Sequence, residues 1–350
     1  MALGSYKIAR LFGVDIELDW TFLLLLLLVA VLGSVFLIVV FILLFVCVLI
    51  HELAHSITSK GNSIGVKKII LTPLGGASVL EDSNIDPRVE FNISIAGPIM
   101  SLVLGCIFGI IATLSPMGMI GQMAQTLFGL NILLGAFNLI PAFPLDGGRV
   151  FRSYLQRKHN LYDATMITAM VSKYCMGMIV AGTFAYAALA GQSILYTEFI
   201  IIFDLLIVFI LYSGMKAEVE SVRVRQATKG IRVSSLATKK FGMVGPDAGM
   251  KELYSAVRSG HNTIILTRLH EGVARIDLSK KKAGRITVKD LAVPLPSINA
   301  DAGVVDAIAK MQASGSGVLA VKRGRQFIGI VTASSLQNVV DLRMMTSSRM

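Results

Sequence analysis

The chain has 350 residues, of which 54% are hydrophobic, and a mean hydropathy of +0.70, a composition that excludes an ordinary soluble protein and leaves room for more than one domain. The formal net charge of +11 is confined to the C-terminal part: residues 216–350 hold 22 Lys and Arg against 10 Asp and Glu, a balance of +12, while residues 1–215 hold 11 against 12, a balance of −1. Nucleic acid is not expected as a partner of that basic part, because no aromatic interleaving accompanies its charge.

The opening Met1-Ala2-Leu3-Gly4-Ser5-Tyr6-Lys7 shows no early apolar core and no small-residue cleavage site, so no signal peptide is expected there. Ile16-Glu17-Leu18-Asp19-Trp20 alternates apolar and polar residues like a short strand, and Trp20, the one Trp, reads as an anchor at the membrane interface. Long apolar windows, set against the roughly 20 residues needed to span a bilayer, predict six passages. They lie near 17–33, 35–58, 89–114, 121–145, 164–190 and 194–214, with Gly33-Ser34 joining the first two as a tight hairpin.

The second of these windows runs without a break from Val35 to Ile50 and then straight into His51-Glu52-Leu53-Ala54-His55. Residues i and i+4 share a helix face, so His51 and His55 can offer two imidazole nitrogens to one Zn²⁺. Glu52 projects beside them, where a carboxylate can take a proton from water activated by a metal. Three ionisable groups in a membrane-length segment are costly unless partnered, which favours function over chance. The competing reading is a helix end that carries His and Glu as it emerges into water.

Val66 to Leu80 is too polar and too rich in β-branched residues and glycine for another passage; Ile69 to Val79 reads as short strands with a bend at Gly75-Gly76. The Gly97-Pro98 step reads as a place where helices pack closely. A mononuclear catalytic zinc takes three protein ligands and keeps one position open. His159, His261 and His270 lie in polar surroundings, so the third ligand is sought among carboxylates of the apolar part. Asp146 is the candidate, in a segment from Phe137 to Arg149 whose two prolines break helix and whose two glycines allow close backbone approach. A loop Asp that caps the following helix is the alternative. Cys47, Cys106 and Cys175 each lie in an apolar passage and read as buried hydrophobes, not as disulfides. Asp204 stands alone in another apolar run and reads as a polar contact inside the helix bundle.

Together, His51-Glu52-x-x-His55 and the series Asn138, Pro141, Asp146, Gly147 resemble the two signatures of the site-2 protease family of intramembrane zinc metalloproteases, over roughly residues 8 to 215. The resemblance implies His51, His55 and Asp146 as ligands of one zinc, Glu52 as catalytic acid and base, and Asn138 as a hold on the substrate backbone or developing oxyanion. It further implies a small sheet dipping into the membrane, whose exposed edge pairs with unwound substrate.

After Met215 hydrophobicity collapses, and an internal repeat organises the rest of the chain. Val233-Ser234-Ser235-Leu236-Ala237 recurs 55 positions on as Val288-Lys289-Asp290-Leu291-Ala292, and Asp247-Ala248-Gly249 recurs as Asp301-Ala302-Gly303. Gly260 matches Gly315. This part resembles a pair of cystathionine-β-synthase-type (CBS) repeats over about 230–342. Thr332 matches the hydroxyl that meets phosphate in that family, while Ser335 stands where the family prefers an Asp for the ribose. An adenine nucleotide is therefore the candidate ligand there, a purely dimerising module the alternative, and a homodimer through the repeats an expected assembly.

The expected architecture is a mainly α membrane protein: a six-helix transmembrane bundle with a small membrane-associated β-sheet over 1–215, a linker over 216–229, and a soluble α+β CBS pair over 230–350. Lys and Arg fall on one side of the passages, and the turns near 33–34, 115–121 and 191–193 carry none, so both termini are expected in the cytoplasm of a multi-pass cell-membrane protein. The expected activity is cleavage of a membrane protein within or near a spanning helix, tuned by the CBS pair. The alternatives are a CBS-gated transporter carrying zinc as cargo and an inactive scaffold.

Overall fold

The structure is a computed structural model that describes residues 5–72, 75–80, 85–189, 194–258, 265–269, 272–276 and 287–347. Two compact units divide the chain, Met1–Glu220 and Ser221–Met350.

The first unit opens with an antiparallel pair, β1 (Ser5–Leu11) and β2 (Val14–Asp19), turned by Phe12 and Gly13 at φ of 48° and 73°. Asp19 then caps α1 (Trp20–Leu32), its carboxylate accepting the Thr21 backbone N–H at 2.9 Å. Ser34 starts α2 (Val35–Gly61), after which β3 (Val66–Thr72) and β4 (Gly75–Leu80) complete a sheet of order β1-β2-β3-β4, with β2 and β3 parallel. Lys68 ties β3 to β2 by a 2.8 Å ion pair with Glu17. Burial pushes the Glu17 carboxyl up, but hydrogen bonds from Lys68 and Ser5 outweigh it and hold the group below its ordinary range.

Two expectations need correction here. The first passage is a helix of only 13 residues, about 20 Å long against the ~30 Å hydrocarbon core. Among the described residues, five helices, not six, are long and apolar enough to cross a membrane. The physical reason is the sheet. Phe22 of α1 meets Phe41 and Phe45 of α2, and beyond them Val14, Ile16, Val66, Ile69 and Leu71 cluster with Leu53 and Leu49 of α2. In effect α1 accompanies the first half of α2 and the sheet accompanies the second half. Nor is the Gly-Gly pair a bend: Gly75 pairs with Thr72 and Gly76 with Leu71 inside the β3–β4 ladder.

Four more long helices follow, with one short helix among them. Pro87 begins α3 (Pro87–Leu114), where a missing N–H costs nothing, and α4 (Met119–Asn138) packs closely against it. A Cβ on Gly135 would lie 2.9 Å from the Leu102 side chain and 3.1 Å from the Pro98 carbonyl oxygen. The fourth passage ends at Asn138, earlier than expected, because residues 139–145 contain Pro141 and Pro144 and are irregular. Its middle is buried in protein, as membrane depth requires of irregular backbone, while Leu139 and Pro141 stay exposed. Ala142 and Phe143 are enclosed, and the Phe143 N–H donates to Ser172 Oγ at 2.8 Å on α6 (Leu161–Leu189). The short α5 (Asp146–Leu155) precedes α6, and α7 (Ile194–Ala227) follows it. Gly214 of α7 lies against Pro144, where a Cβ would come within 2.5 Å of the ring. Leucine, isoleucine and phenylalanine side chains such as Leu27, Ile110, Ile120 and Phe209 face outward, as suits a lipid environment.

The second unit shows the repeat as structure. Its first half holds α8 (Val233–Leu236), β5 (Gly242–Met243), α9 (Met250–Arg258), β6 (Ile265–Leu269) and β7 (Gly272–Ile276). A 3₁₀ turn (Val288–Leu291), β8 (Ala292–Pro294), β9 (Ser297–Asn299), α10 (Val304–Ser314), β10 (Val318–Arg323), β11 (Gln326–Thr332) and α11 (Ala333–Ser347) come next. In each half a short strand pairs parallel with the next, which pairs antiparallel with a third: β5-β6-β7 and β9-β10-β11. The repeated motif packs crosswise. Val233 of the first copy joins the core of the second half, with Ile298, Leu319 and Val331, while Val288 and Leu291 join Leu253 of the first half.

Candidate metal centre

His51, Glu52 and His55 lie on α2 at the depth where the sheet and α3 cover it, and are only 4%, 8% and 8% exposed. Asp146 comes from the first turn of α5, delivered by the irregular 139–145 segment. It does not cap that helix: the N-cap is Leu145, and no side chain fills the capping role.

The geometry is compact. His51 Nε2, His55 Nε2 and Asp146 Oδ2 form a triangle with each edge 3.2 Å. Tetrahedral zinc with bonds of about 2.0–2.1 Å sets its donors about 3.3 Å apart, so the triangle has the size of one face of such a site. The chemistry of the donors agrees. His55 Nδ1–H donates to the Ile93 carbonyl at 2.6 Å, which leaves Nε2 with a lone pair. His51 Nδ1 meets Ser101 Oγ at 2.8 Å. A lone pair on His55 Nε2 and a carboxylate oxygen 3.2 Å apart repel one another unless a cation sits between them. These three are the grouping of metal-donor side chains found among the described residues, and they fit zinc.

One face of α3 supports this arrangement. Ile93, Gly97 and Ser101 recur at a spacing of four, the first and last holding the two rings from behind. Gly97 lies between them: a Cβ there would stand 2.2 Å from His55 Nε2 and 2.6 Å from His51 Nε2. The sequence reading of Gly97 as a packing glycine missed this, since only the tertiary neighbours reveal what occupies the space. Gly76 plays the corresponding part for Glu52, whose Cγ would be 2.3 Å from a Cβ at that position. So β4, at one edge of the sheet, brings its backbone against the carboxylate side chain.

The remaining candidates fall elsewhere. Asn138 is the last residue of α4, and its amide donates to the Leu134 carbonyl at 3.0 Å. Thr332 and Ser335 bond each other at the start of α11: the Thr332 N–H donates to Ser335 Oγ at 3.1 Å, and the Ser335 N–H to Thr332 Oγ1 at 3.2 Å. Their hydroxyls thus serve the helix start. Trp20 begins α1, partly exposed. Asp204 is buried on α7, in line with Ile207, Val208 and Leu211 of the bundle core. The three cysteines are free thiols, with Cys106 exposed, which departs from its expected burial because α3 turns that face outward. Gly260, matched above to Gly315, lies outside the described residues, as do His261 and His270.

Residues 39–123 and 115–182 match the family model described as peptidase family M50. A zinc metalloprotease of Methanocaldococcus jannaschii is 30% identical over 254 residues, covering 71% of this chain and 70% of that protein. A solved site-2 protease from the same organism aligns over 62% of this chain and 95% of its own length, at 32% identity and a TM-score of 0.47. The CBS domain of a bacterial CNNM/CorC-family Mg²⁺ transporter aligns over 35% of this chain and 83% of its own, at 10% identity and a TM-score of 0.31.

Proposed function

The chain belongs to peptidase family M50, the site-2 protease family, and from that premise we propose that it is an intramembrane-cleaving zinc metalloendopeptidase acting on membrane proteins within or near a spanning helix. The observation that carries the proposal is the triangle of His51, His55 and Asp146 donors buried beside Glu52 in a membrane-length helix. Zinc held by those three residues supplies Lewis-acid chemistry, lowering the pKa of water and polarising a peptide carbonyl. Glu52 takes the proton from the attacking water and returns it to the leaving nitrogen. A helical substrate hides its carbonyls in its own hydrogen bonds, so it must unwind before attack. The outer edge of β4 offers unwound backbone a strand to pair with, and Gly76 on that strand brings the paired peptide close to Glu52. Asn138 reaches the substrate backbone or the oxyanion by releasing its bond to Leu134.

The soluble unit acts as a regulatory CBS pair, with both termini cytoplasmic, an adenine nucleotide at Thr332 and Ser335, and a homodimer formed through the repeats. Because each of those hydroxyls already accepts the other residue's backbone N–H, nucleotide phosphate has to displace weak local bonds, and binding is expected in the micromolar to millimolar range (roughly −8 to −4 kcal/mol). Thr332→Ala should weaken ATP binding in calorimetry by about tenfold, a loss of one hydrogen bond to a charged group, with zinc content unchanged. Wild-type ATP affinity in the variant removes Thr332 from the nucleotide site.

For the metal site, elemental analysis of purified protein should give one zinc per chain in the wild type and a small fraction of that in Asp146→Ala. Equal zinc in both takes Asp146 out of the ligand set. Zinc flux into vesicles that survives Glu52→Gln would favour transport instead, since cargo movement does not need a base.

A further inference from the structure

Beyond Asp146, α5 carries a cluster of buried charges that the chemistry above does not use. Arg149 Nη2 donates to Glu218 Oε1 at 2.6 Å, and Arg152 Nη1 donates to Glu218 Oε2 at 3.3 Å. Arg152 Nη2 donates to Glu90 Oε1. Ser153 Oγ and Gln156 Nε2 bond Glu90 Oε2 at 3.1 and 3.3 Å. Arg152 is 7% exposed and its guanidinium also lies 5.2 Å from the Phe143 ring centroid, on the segment that leads into Asp146. All the donors belong to α5 or the residue that ends it, while Glu90 comes from α3 and Glu218 from α7.

A buried ion pair adds little stability over apolar side chains of the same volume, because desolvation offsets the attraction. What it does supply is direction, since a planar guanidinium fork meets carboxylates in a fixed geometry. Direction is what this site needs. The two histidines share one helix, whereas Asp146 sits on a helix of 10 residues that follows an irregular segment and has no side-chain cap. Within α2 only the two histidine rings themselves meet that carboxylate, each at 3.2 Å, and a metal site tolerates ligand displacements of only about 0.2 Å. The α3 face completes the pattern. Glu90, Ile93, Gly97 and Ser101 follow one another at helical spacing, so the face that backs both imidazoles also grips α5.

We infer that Glu90 and Glu218 are positioning residues, which act through Arg152 and Arg149 to hold the Asp146 carboxylate in register with His51 and His55. The inference rests on the zinc-site assignment proposed above. In this arrangement α3 is a common gauge for the three donors, with α7 as a second brace.

The test uses full-length protein in lipid nanodiscs: wild type, Asp146→Ala, Glu218→Gln and Arg149→Lys. Three quantities are read: zinc affinity by chelator competition, the visible spectrum of the Co²⁺-substituted protein, and the melting temperature of the metal-free form. Glu218→Gln should weaken zinc binding about tenfold or more, in the range seen when groups behind metal ligands are removed. It should also shift the Co²⁺ bands while the metal-free protein still melts cooperatively. Arg149→Lys keeps the charge but loses the fork, and should give a smaller change of the same kind. Should Glu218→Gln fail to fold, Arg149→Lys decides on the same readouts. Wild-type zinc affinity and Co²⁺ spectrum in the folded variants would overturn the inference and leave the cluster as a clamp between helices. If wild type takes up no zinc, or Asp146→Ala keeps it, the fault lies in the zinc-site assignment itself. Loss of zinc in Asp146→Ala beside unaltered Glu218→Gln rejects only the positioning role.

Discussion

Replacing Glu52 by Gln should lower peptide-bond cleavage by roughly 10²- to 10⁴-fold while leaving zinc content at the wild-type level. The amide has nearly the same shape as the carboxylate, so the contact with Gly76 and the burial against β4 are preserved. What is lost is the ability to accept a proton from water and pass it on. Glu52 stands outside the His51, His55 and Asp146 grouping, which is why metal should stay. Elemental analysis alongside the cleavage rate separates the two effects. Zinc lost together with activity would make Glu52 a ligand, and activity kept would remove it as the base.

Gly97→Ala is expected to abolish stoichiometric zinc binding, an effect out of scale with one added methyl group. The new Cβ would lie 2.2 Å from His55 Nε2, 2.5 Å from His55 Cε1 and 2.6 Å from His51 Nε2. Neither ring can retreat without breaking its bond to Ile93 or Ser101, and the donor atoms themselves are what the methyl displaces. Alanine favours helix over glycine by up to about 1 kcal/mol, so α3 itself is not weakened. Gly105→Ala is the control, because its Cβ would crowd Ile132, with Cδ1 at 2.8 Å, Cγ1 at 3.0 Å and the backbone nitrogen at 3.4 Å, and would meet no metal donor. Zinc content and circular dichroism should show a folded, metal-poor Gly97→Ala beside a metal-replete Gly105→Ala. Full zinc in Gly97→Ala would mean that α2 and α3 are further apart than this structure has them.

Much of this was legible in the residues. The apolar run into His51-Glu52-x-x-His55 marks a helix with a polar end, and prolines 141 and 144 mark the break that turns the chain toward Asp146. The 55-residue recurrence of Val-x-x-Leu-Ala became two short helical turns in equivalent places, Val233–Leu236 and Val288–Leu291. Hydropathy misjudged the first passage, since a window average cannot see that Glu17 and Asp19 belong to a strand and a cap. It also joined 139–145 to the fourth passage, because an average over Leu, Ile, Phe and Ala is the same whether they are helical or not. The partners of the site were invisible for a different reason. Ser101, the Ile93 carbonyl and Gly97 acquire their roles from what α2 places opposite them, and no spacing within α3 announces that. Likewise Arg149, Arg152, Glu90 and Glu218 meet only when three helices converge.

The most direct measurement is cleavage by the purified full-length protein in lipid nanodiscs, using single-span membrane proteins labelled at both ends. The metal is first stripped with a chelator and then restored with Zn²⁺, and the fragments are mapped by mass. Cutting within or near the spanning segment that stops on stripping and returns with zinc is the predicted result. Zinc-loaded protein that cuts none of them, or cutting that continues undiminished in the stripped protein and in Glu52→Gln, would contradict the assignment of this site as a membrane zinc protease.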